Sequence, residues 1–125
     1  MNISSTILWF EQVDKHDVGI VGGKGANLGE IAQAGFPVPN GFIVTAKAYF
    51  TFLRENKLIP KINQLLATVK YDHPGSLMQV SSHIKKMIKQ SPVSEELVKE
   101  IYQAYSKLGR GSFSDSLVAV RSSAT

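Results

Sequence analysis

Cysteine is absent from the 125-residue chain. Disulfides, zinc–thiolate sites and a thiol nucleophile are therefore excluded, and the composition fits a cytoplasmic protein. No apolar run approaches membrane-spanning length. The stretch from Met1 to Phe10 has neither a basic region nor a long apolar run, so no signal peptide is expected. Internal repeats and low-complexity tracts are lacking. So is a strong charge bias: 14 Lys and Arg against 10 Asp and Glu leave a net charge of +4. The densest basic cluster, Lys85, Lys86 and Lys89, reads as the solvated face of a helix. It is not interleaved with exposed aromatics, so nucleic-acid binding is not expected. His16, His73 and His83 stand at no metal-ligand spacing and in no triad arrangement, and all three read as surface residues. No carboxylate pair stands out.

Apolar residues make up 43% of the chain, enough to build a core. The length suits a single domain over residues 1–125. The modest basic excess also suits a protein that handles a polyanion such as ATP.

The stretch Val21-Gly22-Gly23-Lys24-Gly25-Ala26-Asn27-Leu28-Gly29-Glu30 carries the most chemistry. Glycine permits positive φ and close approach by another group. A helix start leaves unpaired N–H groups and partial positive charge, which suits an anion. Lys24 adds a full charge there. A phosphate-binding loop, with Gly22, Gly23 and Gly25 supplying backbone, is one reading; a glycine-rich turn with Lys24 solvated is the other. A Walker P-loop is excluded, because Val18 stands where its first Gly belongs and Gly25 where its Ser or Thr belongs. The dinucleotide fingerprint gains a stretched match if Val18–Val21 is its strand. The acidic residue it needs roughly 20 positions on is missing, so a Rossmann domain is not expected.

Along the chain, Ile7–Phe10 predicts a strand with Trp9 in the core, and residues 26–34 a helix ended by Gly35. Pro37, Pro39 and Asn40-Gly41 exclude a helix there. Phe42–Val44 predicts a buried strand. Thr45 is placed to cap a helix whose stripe is Ala46, Tyr49, Phe50 and Leu53. Further helices are expected over residues 61–69, through Leu77, Val80, Ile84, Met87 and Ile88, and after Ser94 with Val98, Ile101, Tyr102, Tyr105 and Leu108 inward. Gly109-Arg110-Gly111 should end the last of these. Leu117–Val120 then reads as a buried strand with Arg121 at its C-terminal end. Ligands sit outside the carboxyl ends of strands in open α/β sheets. A guanidinium there, followed by two serines, is a second phosphate candidate. An Arg capping its own sheet edge is the alternative.

Trp9-Phe10-Glu11, the glycine–lysine stretch, Val38-Pro39-Asn40-Gly41-Phe42 and Ala119-Val120-Arg121-Ser122-Ser123-Ala124-Thr125 occur in one order. That series resembles the N-terminal end of the phosphoenolpyruvate synthase family and of its relatives, pyruvate phosphate dikinase and rifampicin phosphotransferase. The resemblance implies an α/β or α+β fold: the N-terminal part of an ATP-grasp-like nucleotide-binding domain, mostly helical with a small sheet from the Trp9, Ile43 and Val118 regions. It implies that Lys24 and Arg121 hold the phosphates of ATP on one face. In the synthase, ATP phosphorylates a histidine on a separate domain. That histidine then passes its phosphoryl group to pyruvate, giving phosphoenolpyruvate, AMP and phosphate. The Mg2+ ligands, the phosphohistidine domain and the pyruvate domain are expected outside this stretch of sequence, so no catalytic residue and no metal ligand are assigned within it. The chain alone is expected to be inactive. Neither a membrane nor a nucleic-acid partner is implied, and a homo-oligomeric enzyme is compatible. The alternatives are another dikinase-family phosphotransferase and a non-enzymatic helical interaction module.

Overall fold

The computed structural model describes residues 5–108 and 117–125. Their elements run β1 (Ile7–Trp9), two 3-10 turns (Phe10–Gln12 and Lys15–Asp17), α1 (Val18–Gln33), β2 (Phe42–Val44), α2 (Ala46–Glu55), α3 (Leu58–Ala67), α4 (Pro74–Gln90) and α5 (Glu95–Leu108). The described chain is mostly helical with a small sheet. It divides into two compact units, Met1–Phe50 with Ser94–Thr125 and Thr51–Val93, the division falling within α2.

In the first unit β1 and β2 pair antiparallel, Ile7 opposite Val44, Leu8 opposite Ile43 and Trp9 opposite Phe42. Side chains alternate faces along a strand, so the middle pair turns inward together. Leu8 and Ile43 are both buried and join Val13, Val21 and Ala26 in one apolar cluster. Trp9, expected in the core, is half-buried, its ring tilted against Phe42 with centroids 5.6 Å apart.

Val18–Val21, the strand that a dinucleotide fingerprint would need, is instead the opening turn of α1. One expected strand does not form. Leu117–Val120 forms no strand and lies exposed, Leu117 at 103% and Val120 at 91% of full exposure. An apolar run becomes a strand only where a neighbour takes its N–H and C=O groups. Among the described residues the sheet is β1 and β2 alone.

The local stop and start signals act as the sequence predicts. Gly35 has φ of 85°. Its N–H donates to Ala32 at 3.2 Å and that of Phe36 to Ile31 at 3.3 Å, the two bonds of a Schellman ending. The Thr45 and Ser94 hydroxyls accept from the N–H groups of Ala48 and Leu97, each at 3.4 Å. The faces of the helices they start are rotated from expectation. In α2, Ala48, Phe52 and Leu53 are buried while Tyr49 and Phe50 are exposed. In α5 the inward residues include Glu100, Ile101, Ala104 and Tyr105, while Val98 and Tyr102 face solvent. On that inward side the Thr6 hydroxyl donates to the Glu100 carboxylate. The expected stop at Gly109-Arg110-Gly111 lies outside the described residues.

In the second unit Phe52, Leu53 and Leu58 are buried, with Ile59, Ile62, Met87 and Ile88 packed against them. α3 begins at Leu58, ahead of the expected start, because Pro60 falls in its first turn, where a missing N–H breaks no helical bond. α4 likewise begins at Pro74. Lys85, Lys86 and Lys89 are exposed, as are His73 and His83; so is His16 in the first unit.

Candidate functional site

The approach to the glycine loop is held by short polar bonds. Asp14 accepts from the His16 N–H at 2.8 Å, and the buried Asp17 accepts from the Asp14 N–H at 2.9 Å. α1 follows at once and runs for one turn. At Gly22 the backbone leaves helical geometry, with φ 76° and ψ 168°. That region is essentially closed to residues with a side chain. The helix then resumes through Gly23, Lys24 and Gly25.

The resumed helix is pressed against the chain that leads into it. A Cβ at Gly29 would overlap the backbone oxygen of Val13. The Gln33 side-chain amide donates to that same oxygen at 2.7 Å, and the Lys15 N–H donates to Glu30 at 3.2 Å. On its other side, Gly25 is packed by Ile43 and Val21. These contacts leave Lys24 on the outside, exposed.

The end of the sequence returns to this loop. The Ser123 hydroxyl donates to the Val21 carbonyl at 2.7 Å and accepts from the Gly25 N–H at 3.1 Å. The Ala124 carbonyl accepts from the Gly23 N–H at 2.9 Å. Two backbone donors of the loop, those of Gly23 and Gly25, are thus engaged within the chain. A Cβ at Gly22 would overlap Ser123. Two residues of chain span at most about 7 Å, so the Arg121 Cα lies within that reach of Ser123. Arg121 is exposed. Among the described residues, neither Lys24 nor Arg121 has a side-chain hydrogen bond or salt bridge.

Beside the loop lies a cleft of 330 Å³ between Ile20 and Val21 of α1, Tyr49 and Phe50 of α2, and Ser123 to Thr125. Its volume is at the lower end for small-molecule sites. The exposed rings of Tyr49 and Phe50, centroids 5.7 Å apart, form its apolar wall. Their spacing suggests a core stripe, and periodicity alone cannot distinguish that from a cleft lining. The inward use of the Ser123 hydroxyl has no signal in the sequence at all, because its partners lie 102 and 98 positions away. Among the described residues, no group of three or more His, Asp or Glu could hold a metal ion. No described helix is long and apolar enough to cross a membrane.

Comparison with known proteins meets this geometry from outside. Residues 18–125 match the family described as pyruvate phosphate dikinase, AMP/ATP-binding domain. The chain is 43% identical over 120 residues to a probable phosphoenolpyruvate synthase of Methanothermobacter thermautotrophicus. It is 42% identical over 120 residues to one of Methanocaldococcus jannaschii. It is 36% identical over 152 residues to the phosphoenolpyruvate synthase of Pyrococcus furiosus. Each comparison covers 95% of this chain but only 18%, 10% and 19% of the respective relative. The chain belongs to the pyruvate phosphate dikinase AMP/ATP-binding domain family.

Proposed function

We propose that this member of the family is the N-terminal portion, residues 1–125, of the ATP-binding domain of a phosphoenolpyruvate synthase. The complete enzyme uses ATP to phosphorylate a histidine on another domain and passes the phosphoryl group to pyruvate, yielding phosphoenolpyruvate, AMP and phosphate. The domain is ATP-grasp-like, and the enzyme is cytoplasmic. Lys24 and Arg121 bind the phosphates, over a loop shaped by Gly22, Gly23 and Gly25. Their charges hold the phosphate chain and offset the charge that develops during transfer. Mg2+, for which no ligand is assigned in this chain, would supply charge neutralisation at the phosphate oxygens. The observation that carries the reading is the docking of Ser123 and Ala124 on Gly23 and Gly25, which ties the two basic motifs together.

Lys24→Ala and Arg121→Ala, made one at a time in the complete enzyme, should each lower ATP-driven histidine phosphorylation by roughly 100-fold or more, the scale for losing one preorganised charge partner. Full activity in both variants would defeat the assignment. A second reading, a helical docking module, has the exposed Val98 and Tyr102 of α5 in its favour. It predicts that neither substitution changes any nucleotide-dependent signal.

A further inference from the structure

We infer that Ser123 is the positioning residue of the glycine loop: its hydroxyl holds the helix break at Gly22 open and so keeps Lys24 and Arg121 together as a pair. The inference rests on the phosphate reading for its purpose, but not for its geometry.

The break at Gly22 creates a problem that an unbroken helix lacks. It leaves a carbonyl orphaned at the end of the first turn and N–H groups orphaned at the start of the next. A hydroxyl is both donor and acceptor, so one group can serve both sides. Ser123 does so, giving its proton to the Val21 carbonyl at 2.7 Å and accepting from Gly25 at 3.1 Å. Relative to the resumed helix, Gly25 is the position at which an N-cap hydroxyl normally accepts. Here the cap arrives from the far end of the sequence, because the local residue is Gly22 and has no side chain. The lack of that side chain is also what admits Ser123, since a Cβ at Gly22 would overlap its hydroxyl and backbone.

The neighbouring bond from Gly23 to Ala124 completes a two-point attachment. The glycine amides hold the returning segment, which leaves phosphate recognition to the side chains of Lys24 and Arg121. The two belong to segments far apart in sequence, so their spacing is set where the segments join. Ser123 stands at that join.

Amide hydrogen exchange on the 125-residue chain reads the bridge with no ligand present. Ser123→Ala should speed exchange at Gly25 by about tenfold or more, since the N–H loses its acceptor. The amide of Ala104 in α5 should keep its protection. Ser123→Thr retains the hydroxyl and should exchange like the parent. Unchanged exchange at Gly25 in Ser123→Ala would overturn the inference. So would Ser123→Thr exchanging as fast as Ser123→Ala, because packing rather than the hydroxyl would then hold the loop. If Ser123→Ala loses protection at Ala104 as well, the Ser123→Thr comparison with the parent decides. Titration with Mg-ATP reads the pairing: Ser123→Ala should weaken the amide responses of Lys24 and Arg121 by a common factor. Weakening at one with the other unchanged would overturn the pairing. A parent chain silent to Mg-ATP counts against nucleotide binding by this chain, while the exchange comparison still decides the bridge.

Discussion

Around the glycine loop, backbone meets backbone; in Thr51–Val93, side chains fill the space between helices. The first arrangement depends on atoms that are missing. Gly22 and Gly29 sit where a Cβ would overlap Ser123 and Val13. The second depends on atoms that are present, with Phe52, Leu53 and Leu58 buried under Met87 and Ile88. The two regions should therefore fail in opposite ways, one on adding a methyl group and the other on removing several. The proposed phosphate site gains from the first design, because backbone packed on backbone fixes the points from which its side chains start.

The largest effect is expected from truncating the side-chain core. Leu58 is 2% exposed, and Leu58→Ala should cost about 3 kcal/mol, the lost burial plus the cavity left behind. A urea-unfolding curve reads this as a fall in the midpoint. A loss under about 1 kcal/mol would show that the helices collapse into the gap, and that this region is not held by filling. Next comes the reverse change in the loop region. Gly29→Ala should cost about 2 kcal/mol through overpacking against the Val13 oxygen, although alanine is the better helix former. A third substitution removes a cap together with one buried methyl group, since Thr45 is almost fully buried. Thr45→Ala deletes the acceptor for the Ala48 N–H and should cost about 1 kcal/mol by the same measurement. An effect as large as that of Leu58→Ala would mean that Thr45 acts chiefly through its burial and its second bond, donated to the Ser5 carbonyl at 2.9 Å, and not through the cap.

Features decided within a few residues were legible in the sequence: the Gly35 ending, the Thr45 and Ser94 caps and the non-helical stretch at the prolines. Each depends on a side chain or a φ angle acting on its neighbours. Helix faces were less legible. The apolar spacing of α5 permits more than one rotation, and its inward side meets Thr6, 94 positions from its partner Glu100. The Leu117–Val120 run shows the same limit, since its composition says apolar but not what covers it. At the candidate site, the residue types were legible and the joinery was not. Lys24 and Arg121 stand out as cations in glycine- and serine-rich settings. The bond from Ser123 to Gly25, which brings their segments together, follows from the fold alone.

The smallest effect sharpens the comparison most. Gly19 also lies in α1, one residue past its start, yet a Cβ there would meet nothing within 4 Å. Its φ is not positive, so alanine fits the backbone as it stands. Gly19→Ala should therefore raise stability by about 0.5 kcal/mol, through lower unfolded-state entropy and better helix propensity. Gly29→Ala makes the same chemical change in the same helix with the opposite expected sign. If the two shift the unfolding midpoint in opposite directions, the sensitivity of the loop region comes from close contact at particular glycines. If both destabilise, α1 needs flexibility throughout, and packing against Val13 is not what selects glycine at position 29.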